Sequence, residues 1–218
     1  MIKTVLFDLG NTLYKNEEFD SQYPRLLSML LAKDREITLE EAEETISETA
    51  KELKKKSSEH VTKVAMMEAL GYTRTEVHDE FCKNNPKDFV KEDRQLVKML
   101  ARLSEEYRLG IVSNFRRSHT VEIIQALGLE PLLFEVIIGE DNVINIKPDP
   151  EGFLTALWAT RSQPDEVVYV ADSITKDLIP AKSVGLHTIQ IGGDQQPDQS
   201  VDLHIDKIYK LPEAIKHL

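Results

Sequence analysis

The chain has 218 residues, 41% hydrophobic and 30% charged, enough apolar material for one large domain or a core domain with a smaller one inserted. Its 38 acidic residues against 27 basic ones leave a formal charge of −11, which excludes non-specific attraction to nucleic acid or to an anionic membrane surface. A single cysteine, Cys82, excludes an internal disulfide and suits a reducing compartment; as a buried apolar filler it needs no further role. The opening residues MIKTVLFDLG lack the long apolar stretch of a signal peptide, and no apolar run reaches membrane-spanning length, so a soluble cytoplasmic protein is expected. The oligomeric state is left open, a monomer being sufficient.

The first element is a short apolar strand at 4–7 that runs directly into Asp8. From about Lys15 to Lys91 the character changes: there is no convincing strand, and Glu and Lys recur with helical periodicity. Within this stretch Thr38-Leu39-Glu40-Glu41 reads as a capping box opening a helix toward Ser57. A second helical segment spans 60–70 and closes at Gly71, and Thr73 opens a third. The run Lys54-Lys55-Lys56 reads as a solvated helix end, where cations suit the dipole. Beyond it, helices predicted over 94–107, 118–127, 151–161 and 176–184 alternate with strands over 109–112, 136–138, 167–170 and 188–191. That alternation implies right-handed βαβ units and a doubly wound parallel sheet. The expected organisation is an α/β core of residues 1–14 and 92–218 with an all-helical domain, 15–91, inserted after the first strand.

Ligands of such sheets sit beyond the carboxyl ends of the strands, and the residues found there form a set. The first strand ends in Asp8 and the second in Ser113-Asn114. Ile146-Lys147-Pro148-Asp149-Pro150 follows the third, and Ala171-Asp172-Ser173 the fourth, with Asp177 five positions after Asp172. Singly, each has an ordinary reading. Ser173 and Asp149 suit helix caps, Asp177 a first-turn acid, and Lys147 a surface site. Carboxylates, a hydroxyl and a lysine gathered on one rim are hard to explain that way jointly.

In these four segments, FDLGNTL, VSN, IKPDP and VADSITKD, the chain resembles the haloacid dehalogenase-like (HAD) hydrolase superfamily, in order and across essentially its whole length. The resemblance implies a Rossmann-like core with the 15–91 segment as a cap that closes over the rim. It implies Asp8 as the nucleophile, forming and then releasing an aspartyl-phosphate. It implies Mg²⁺ held by Asp8, Asp172 and the main-chain carbonyl of Gly10, with Asp177 holding a metal-bound water or orienting Lys147. Lys147, as a point charge, and Ser113, with Asn114 beside it, would bind the transferring phosphoryl oxygens, completed by backbone N–H groups of the loop through Gly10 and Asn11. The implied partner is a small phosphate ester. Its specificity would come from the inserted domain, where Tyr23, Arg25, His60 and Lys63 are unranked candidates. Arg116 and Arg117 are candidates for a second anionic group, or else a solvated helix start.

One position departs from the phosphatase pattern. Two residues after the nucleophile these enzymes usually carry a second aspartate, the general acid and base; here Gly10 stands there, followed by Asn11 in place of the common glycine. A main-chain carbonyl ligand is indifferent to that change, but a positioned acid–base contributes roughly 10²–10⁴ in rate. Asn11 can donate a hydrogen bond to a leaving group but cannot transfer a proton. Three readings follow: a phosphatase, slow or supplied with a proton by Glu17, Glu18 or His119; a vestigial hydrolase that binds phosphate; or a metal-independent 2-haloacid dehalogenase. Asp172 argues against the last, because displacement at a neutral carbon needs no Mg²⁺.

Overall fold

The computed structural model describes residues 1–56, 61–193 and 196–218. Six parallel strands form one sheet: β1 (Thr4–Phe7), β2 (Arg108–Val112), β3 (Val136–Ile138), β4 (Val167–Ala171), β5 (His187–Ile191) and β6 (Leu203–Ile205), in the order β3-β2-β1-β4-β5-β6. Helices cover it in the Rossmann-like manner. β1 is central. It pairs with β2 from Thr4↔Arg108 to Phe7↔Ile111, and with β4 from Thr4↔Val167 to Phe7↔Val170. Every residue of β1 and β4 is buried, as sheets covered on both faces require.

The chain divides into two compact units, one of Met1–Lys15 with Val90–Leu218 and one of Asn16–Phe89. The second unit holds helices α1 (Glu17–Arg35), α2 (Leu39–Lys56), α3 (Lys63–Ala69) and α4 (Arg74–Phe81). Asn16 caps α1 by accepting from the Phe19 N–H at 2.9 Å. Thr38 and Glu41 form the capping box of α2, and Thr73 and Glu76 that of α4. Lys54 and Lys55 are exposed in the last turn of α2. Ser57 and His60 lie outside the described residues. Tyr23 packs edge-on against Phe19 and Phe81, with centroids 5.3 and 5.2 Å away, and so belongs to this unit's core. Arg25 and Lys63 are exposed. Cys82 is exposed as well, at the end of α4, rather than a buried filler.

The first unit holds α5 (Arg94–Leu103), α6 (Arg117–Ala126), α7 (Glu151–Thr160), α8 (Ile179–Ser183) and α9 (Leu211–Ala214), the last four in contact with strands of the sheet. One core cluster joins Leu6, Val112, Ile138 and Tyr169 of the strands to Phe153, Ala156 and Leu157 of α7 and to Leu178 and Ala181 near α8. Among the described residues of this unit, two helix boundaries differ from the sequence reading by three residues or more, and one strand is additional. α5 ends at Leu103, where Ser104 turns the chain and its hydroxyl donates to the Ala101 carbonyl at 2.7 Å. The helix expected from Lys176 begins only at Ile179, because Pro180 has no N–H to continue the ladder; a π turn, Ile174–Leu178, precedes it. β6 is a three-residue edge strand, too short to leave a periodic signature. Among the described residues no helix is long and apolar enough to cross a membrane.

Candidate active site

β1 and β4 are neighbours although the chain visits β2 and β3 between them, so their carboxyl ends flank the crevice where the winding reverses. Asp8 follows β1 and Asp172 follows β4. The Asp8 N–H donates to the Val170 carbonyl at 3.0 Å, extending the ladder by one rung and turning the carboxylate into the interior. After Asp172 the π turn carries Asp177 back to the same place, its N–H bonded to the Ser173 carbonyl at 3.1 Å. Ser173 also caps the turn, accepting from the Lys176 N–H at 3.3 Å, while Asp149 stands one residue ahead of the Pro150 cap of α7 and accepts from the Glu151 N–H at 2.9 Å.

Lys147 is the hub. Its side chain is 1% exposed, and Nζ lies 2.6 Å from Asp8 Oδ1 and 2.6 Å from Asp177 Oδ1. It also donates to the Val112 carbonyl at 2.7 Å and the Tyr169 hydroxyl at 2.9 Å. A lysine so buried needs this charge and hydrogen-bond compensation. Its backbone is fixed too. Asn114 Nδ2 donates to the Lys147 carbonyl at 2.9 Å, and the Lys147 N–H donates to Asn114 Oδ1 at 3.0 Å, with a cis bond between Lys147 and Pro148. Both ends of the Asn114 carboxamide are therefore engaged in placing the lysine. Ser113 Oγ accepts from the Phe115 N–H at 3.1 Å, which leaves the hydroxyl proton free to donate elsewhere.

Two members of the site carry no signal in the sequence reading. Tyr169 hides in the apolar run of β4, yet its hydroxyl is 3.0 Å from Asp177 Oδ1 and 3.2 Å from the Val112 carbonyl. Lys176 reads as an ordinary first-turn lysine, but its Nζ stands 3.2 Å from Asp177 Oδ2 and 3.6 Å from Asp8 Oδ2. The only available hint is its position beside Asp177, where any turn that aims the acid inward brings the lysine near.

The electrostatics follow from this packing. Burial works to raise the Asp8 pKa, but the ammonium groups of Lys147 and Lys176 outweigh it and hold the carboxyl below its usual range. Asp172 goes the other way, pushed up to about 6 by burial first and then by the Asp8 charge. Burial opposes the charge on Lys176, and Asp177, Asp8 and Asp172 together raise its pKa regardless.

Asp8, Asp172 and Asp177 can each turn a carboxylate oxygen to within 4.8 Å of the others. Asp8 Oδ2, Asp172 Oδ1 and Asp177 Oδ2 are buried without a hydrogen-bond partner among the described residues. Orphaned hard oxygens gathered this closely suit a hard divalent cation. Gly10 avoids the left-handed backbone region, and a Cβ built there meets nothing nearer than the Tyr14 hydroxyl oxygen at 3.6 Å. Asn11 does occupy the left-handed region, at φ 55°, where asparagine is tolerated and glycine is at ease.

Arg116 pairs through Nε with the buried Glu140 at 3.2 Å, so it is a fixed ion pair and not a solvated helix start, while Arg117 is exposed. His119 is buried on α6, with Nδ1 3.2 Å from Glu122; burial lowers its pKa, and Glu122 only partly offsets this. Glu17 and Glu18 occupy the first turn of α1, where acids suit the helix dipole.

Residues 5–191 match the family model of the haloacid dehalogenase-like hydrolases. The chain belongs to that family. This hydrolase is 26% identical over its whole length to the glyceraldehyde 3-phosphate phosphatase of Methanocaldococcus jannaschii, covering 99% of that protein. It is 27% identical to pyrophosphatase PpaX of Listeria innocua over 79% of its own length and 75% of the relative's. Among solved structures it resembles a HAD phosphatase from Thermococcus onnurineus, with a TM-score of 0.72, 23% identity and 98% of both chains covered. It likewise resembles a 2-haloacid dehalogenase from Pseudomonas syringae pv. Tomato DC3000, with a TM-score of 0.67 and 23% identity over 100% of this chain and 99% of that one. At that identity the two structures speak to the fold of the hydrolase alone.

Proposed function

We propose that this hydrolase is a Mg²⁺-dependent phosphatase acting on a small phosphorylated metabolite through an aspartyl-phosphate on Asp8. The observation that carries the reading is the meeting of Asp8, Lys147, Asp172 and Asp177 at the winding reversal, with orphaned carboxylate oxygens suited to a divalent ion. The phosphatase names of two relatives add support.

The chain's own groups divide the work. Asp8, held ionised by Lys147 and Lys176, is the nucleophile. Lys147 offsets the negative charge that the phosphoryl group brings to the nucleophile, and Asn114 with Tyr169 keeps it in place. Ser113 donates its free hydroxyl proton to a phosphoryl oxygen. Asp8, Asp172 and the Gly10 carbonyl would hold Mg²⁺, with Asp177 behind them. When bound, the ion supplies charge neutralisation between carboxylate and phosphoryl oxygens. Gly10 leaves no carboxylate where a general acid would stand, so proton transfer to the leaving group is the weak step. A panel of phosphate esters that includes glyceraldehyde 3-phosphate, run with Mg²⁺ and with excess chelator, tests the reading. 2-Chloropropionate without metal is the parallel arm. Halide release there, with no phosphate release in the panel, would overturn it.

The second reading, a phosphate-binding protein with vestigial turnover, is favoured by Gly10 alone. Tight binding of a phosphate analogue with Mg²⁺ and no turnover of any ester would select it.

A further inference from the structure

The two lysines of the site are not equivalent. Lys147 is sealed in, 1% exposed, with four close partners. Lys176 is 29% exposed on a π turn, and its ammonium stands off at 3.6 and 3.2 Å from Asp8 Oδ2 and Asp177 Oδ2. These are two of the three orphaned oxygens that make the cluster suitable for a divalent ion. Lys176 thus faces the oxygens that the ion would use, while Lys147 faces the opposite oxygens of the same two carboxylates. Three carboxylates against two ammonium groups leave one excess negative charge, little to attract Mg²⁺ into a site that is otherwise well shaped for it.

We propose that Lys176 is a resident counter-cation that competes with Mg²⁺ for Asp8 and Asp177, neutralising the pair when no ion is bound and turning outward when one binds. This rests on the reading of the acidic cluster as the metal site. The partial exposure of Lys176 is what makes it displaceable, since its ammonium loses little hydration by leaving. Two functional consequences follow. The metal-free protein is spared the repulsion between buried carboxylates, and the ion must overcome a tethered cation, which sets the Mg²⁺ concentration at which the site assembles. A lysine present only to staple its own turn would have neither effect on the ion.

Calorimetric titration of Mg²⁺ into chelator-stripped wild type, Lys176→Met and Lys176→Arg, without substrate, tests this at fixed ionic strength. Removing a unit charge a few ångströms from the ion should tighten Mg²⁺ binding by about tenfold or more. Lys176→Arg, which keeps the charge, should stay within about threefold of wild type on the same electrostatic grounds. Metal-free Lys176→Met should also unfold at a lower temperature than metal-free wild type and gain more from saturating Mg²⁺. Should Lys176→Met fold poorly, Lys176→Gln gives the same comparison. Binding by Lys176→Met alone, with none by wild type, would be the extreme form of the expected result. Equal affinity in wild type and Lys176→Met would overturn the competition while leaving the metal site intact. Absence of binding in both would overturn the metal site and this inference with it.

Discussion

Lys147 and Asp8, 139 positions apart in the chain, meet at 2.6 Å in a place that solvent barely reaches. The contact joins the third and first rim segments through one buried ion pair, and Asp177 shares the ammonium at the same distance. Removing the lysine therefore takes from two buried carboxylates at once the nearer of their two counter-charges and leaves only Lys176. Lys147→Met is expected to abolish turnover and to cost about 3–5 kcal/mol in stability, the range for breaking a buried ion pair from one side. Urea unfolding with Mg²⁺ withheld measures it. A loss below about 1 kcal/mol, the scale of an exposed pair, would contradict the buried ion-pair cluster described above.

Asp172 governs the pH response. Its carboxyl is raised to about 6 in the folded protein against 3.8 for the ordinary group, so folding disfavours its ionised form. The metal-free protein consequently gives up stability as pH climbs from 3.8 toward about 6, and the loss is complete above that. Asp172→Asn should stabilise the metal-free protein at neutral pH by about 1–2 kcal/mol, after allowing for the solvent that still reaches the side chain. The same substitution should remove the stabilisation that Mg²⁺ confers, along with Mg²⁺-dependent activity. In wild type, apparent Mg²⁺ affinity should weaken as pH falls through about 6, because the ion must displace a proton. Thermal unfolding across that window, with and without the ion, reads both effects. Asp172→Asn that is less stable than metal-free wild type would refute the sign.

Gly10 sets the leaving-group dependence. Without a general acid, weakly basic phenoxides depart readily, while alkoxides of alkyl and sugar phosphates do not. A steep preference for aryl over alkyl phosphates is expected, with a burst of phenol before a slow steady state, since water attack on the aspartyl-phosphate lacks a base. The space at Gly10 accepts a side chain, the Tyr14 hydroxyl being 3.6 Å from a built Cβ, so Gly10→Asp should narrow the aryl–alkyl gap by about 10²-fold or more. Wild-type hydrolysis of alkyl and aryl esters at equal rates would place the proton donor elsewhere.

Tyr169 is expected to matter through position. Tyr169→Phe leaves Asp177 and the Lys147 ammonium each short of a partner in a buried setting, a cost of about 1–3 kcal/mol. Activity should fall, and by less than in Lys147→Met. A variant as stable as wild type would show that the hydroxyl bonds add nothing net.

The first five strands and the rim were legible because parallel strands covered on both faces leave uninterrupted apolar runs, and most of these runs stop at a polar residue that the sheet cannot absorb. Asp8, Ser113 and Asp172 each stand at such a stop. What escaped was geometry without composition. The π turn has no residue signature, and it is what brings Lys176 beside the carboxylates. The hydroxyl of Tyr169 is invisible inside VVYVA because the ring satisfies the apolar pattern. Asn114 looked like a ligand contact, yet both of its amide groups are engaged with the Lys147 backbone, which only a partner 33 positions downstream could reveal.

The placement of β1 also bears on how the chain is made. The strand that leads into Asp8 is synthesised before its two neighbours, which begin at Arg108 and Val167, after the helical unit in chain order. Helices α1 to α4 can leave the ribosome and pack as a unit while Thr4–Phe7 still has no strand to pair with. An apolar strand, later wholly buried, is thus left waiting through most of translation, and the nucleophile has no site until β4 and the turn behind it emerge. Premature termination anywhere before β4 yields a chain with an unpaired central edge, a template for association with other chains and a natural target for chaperones.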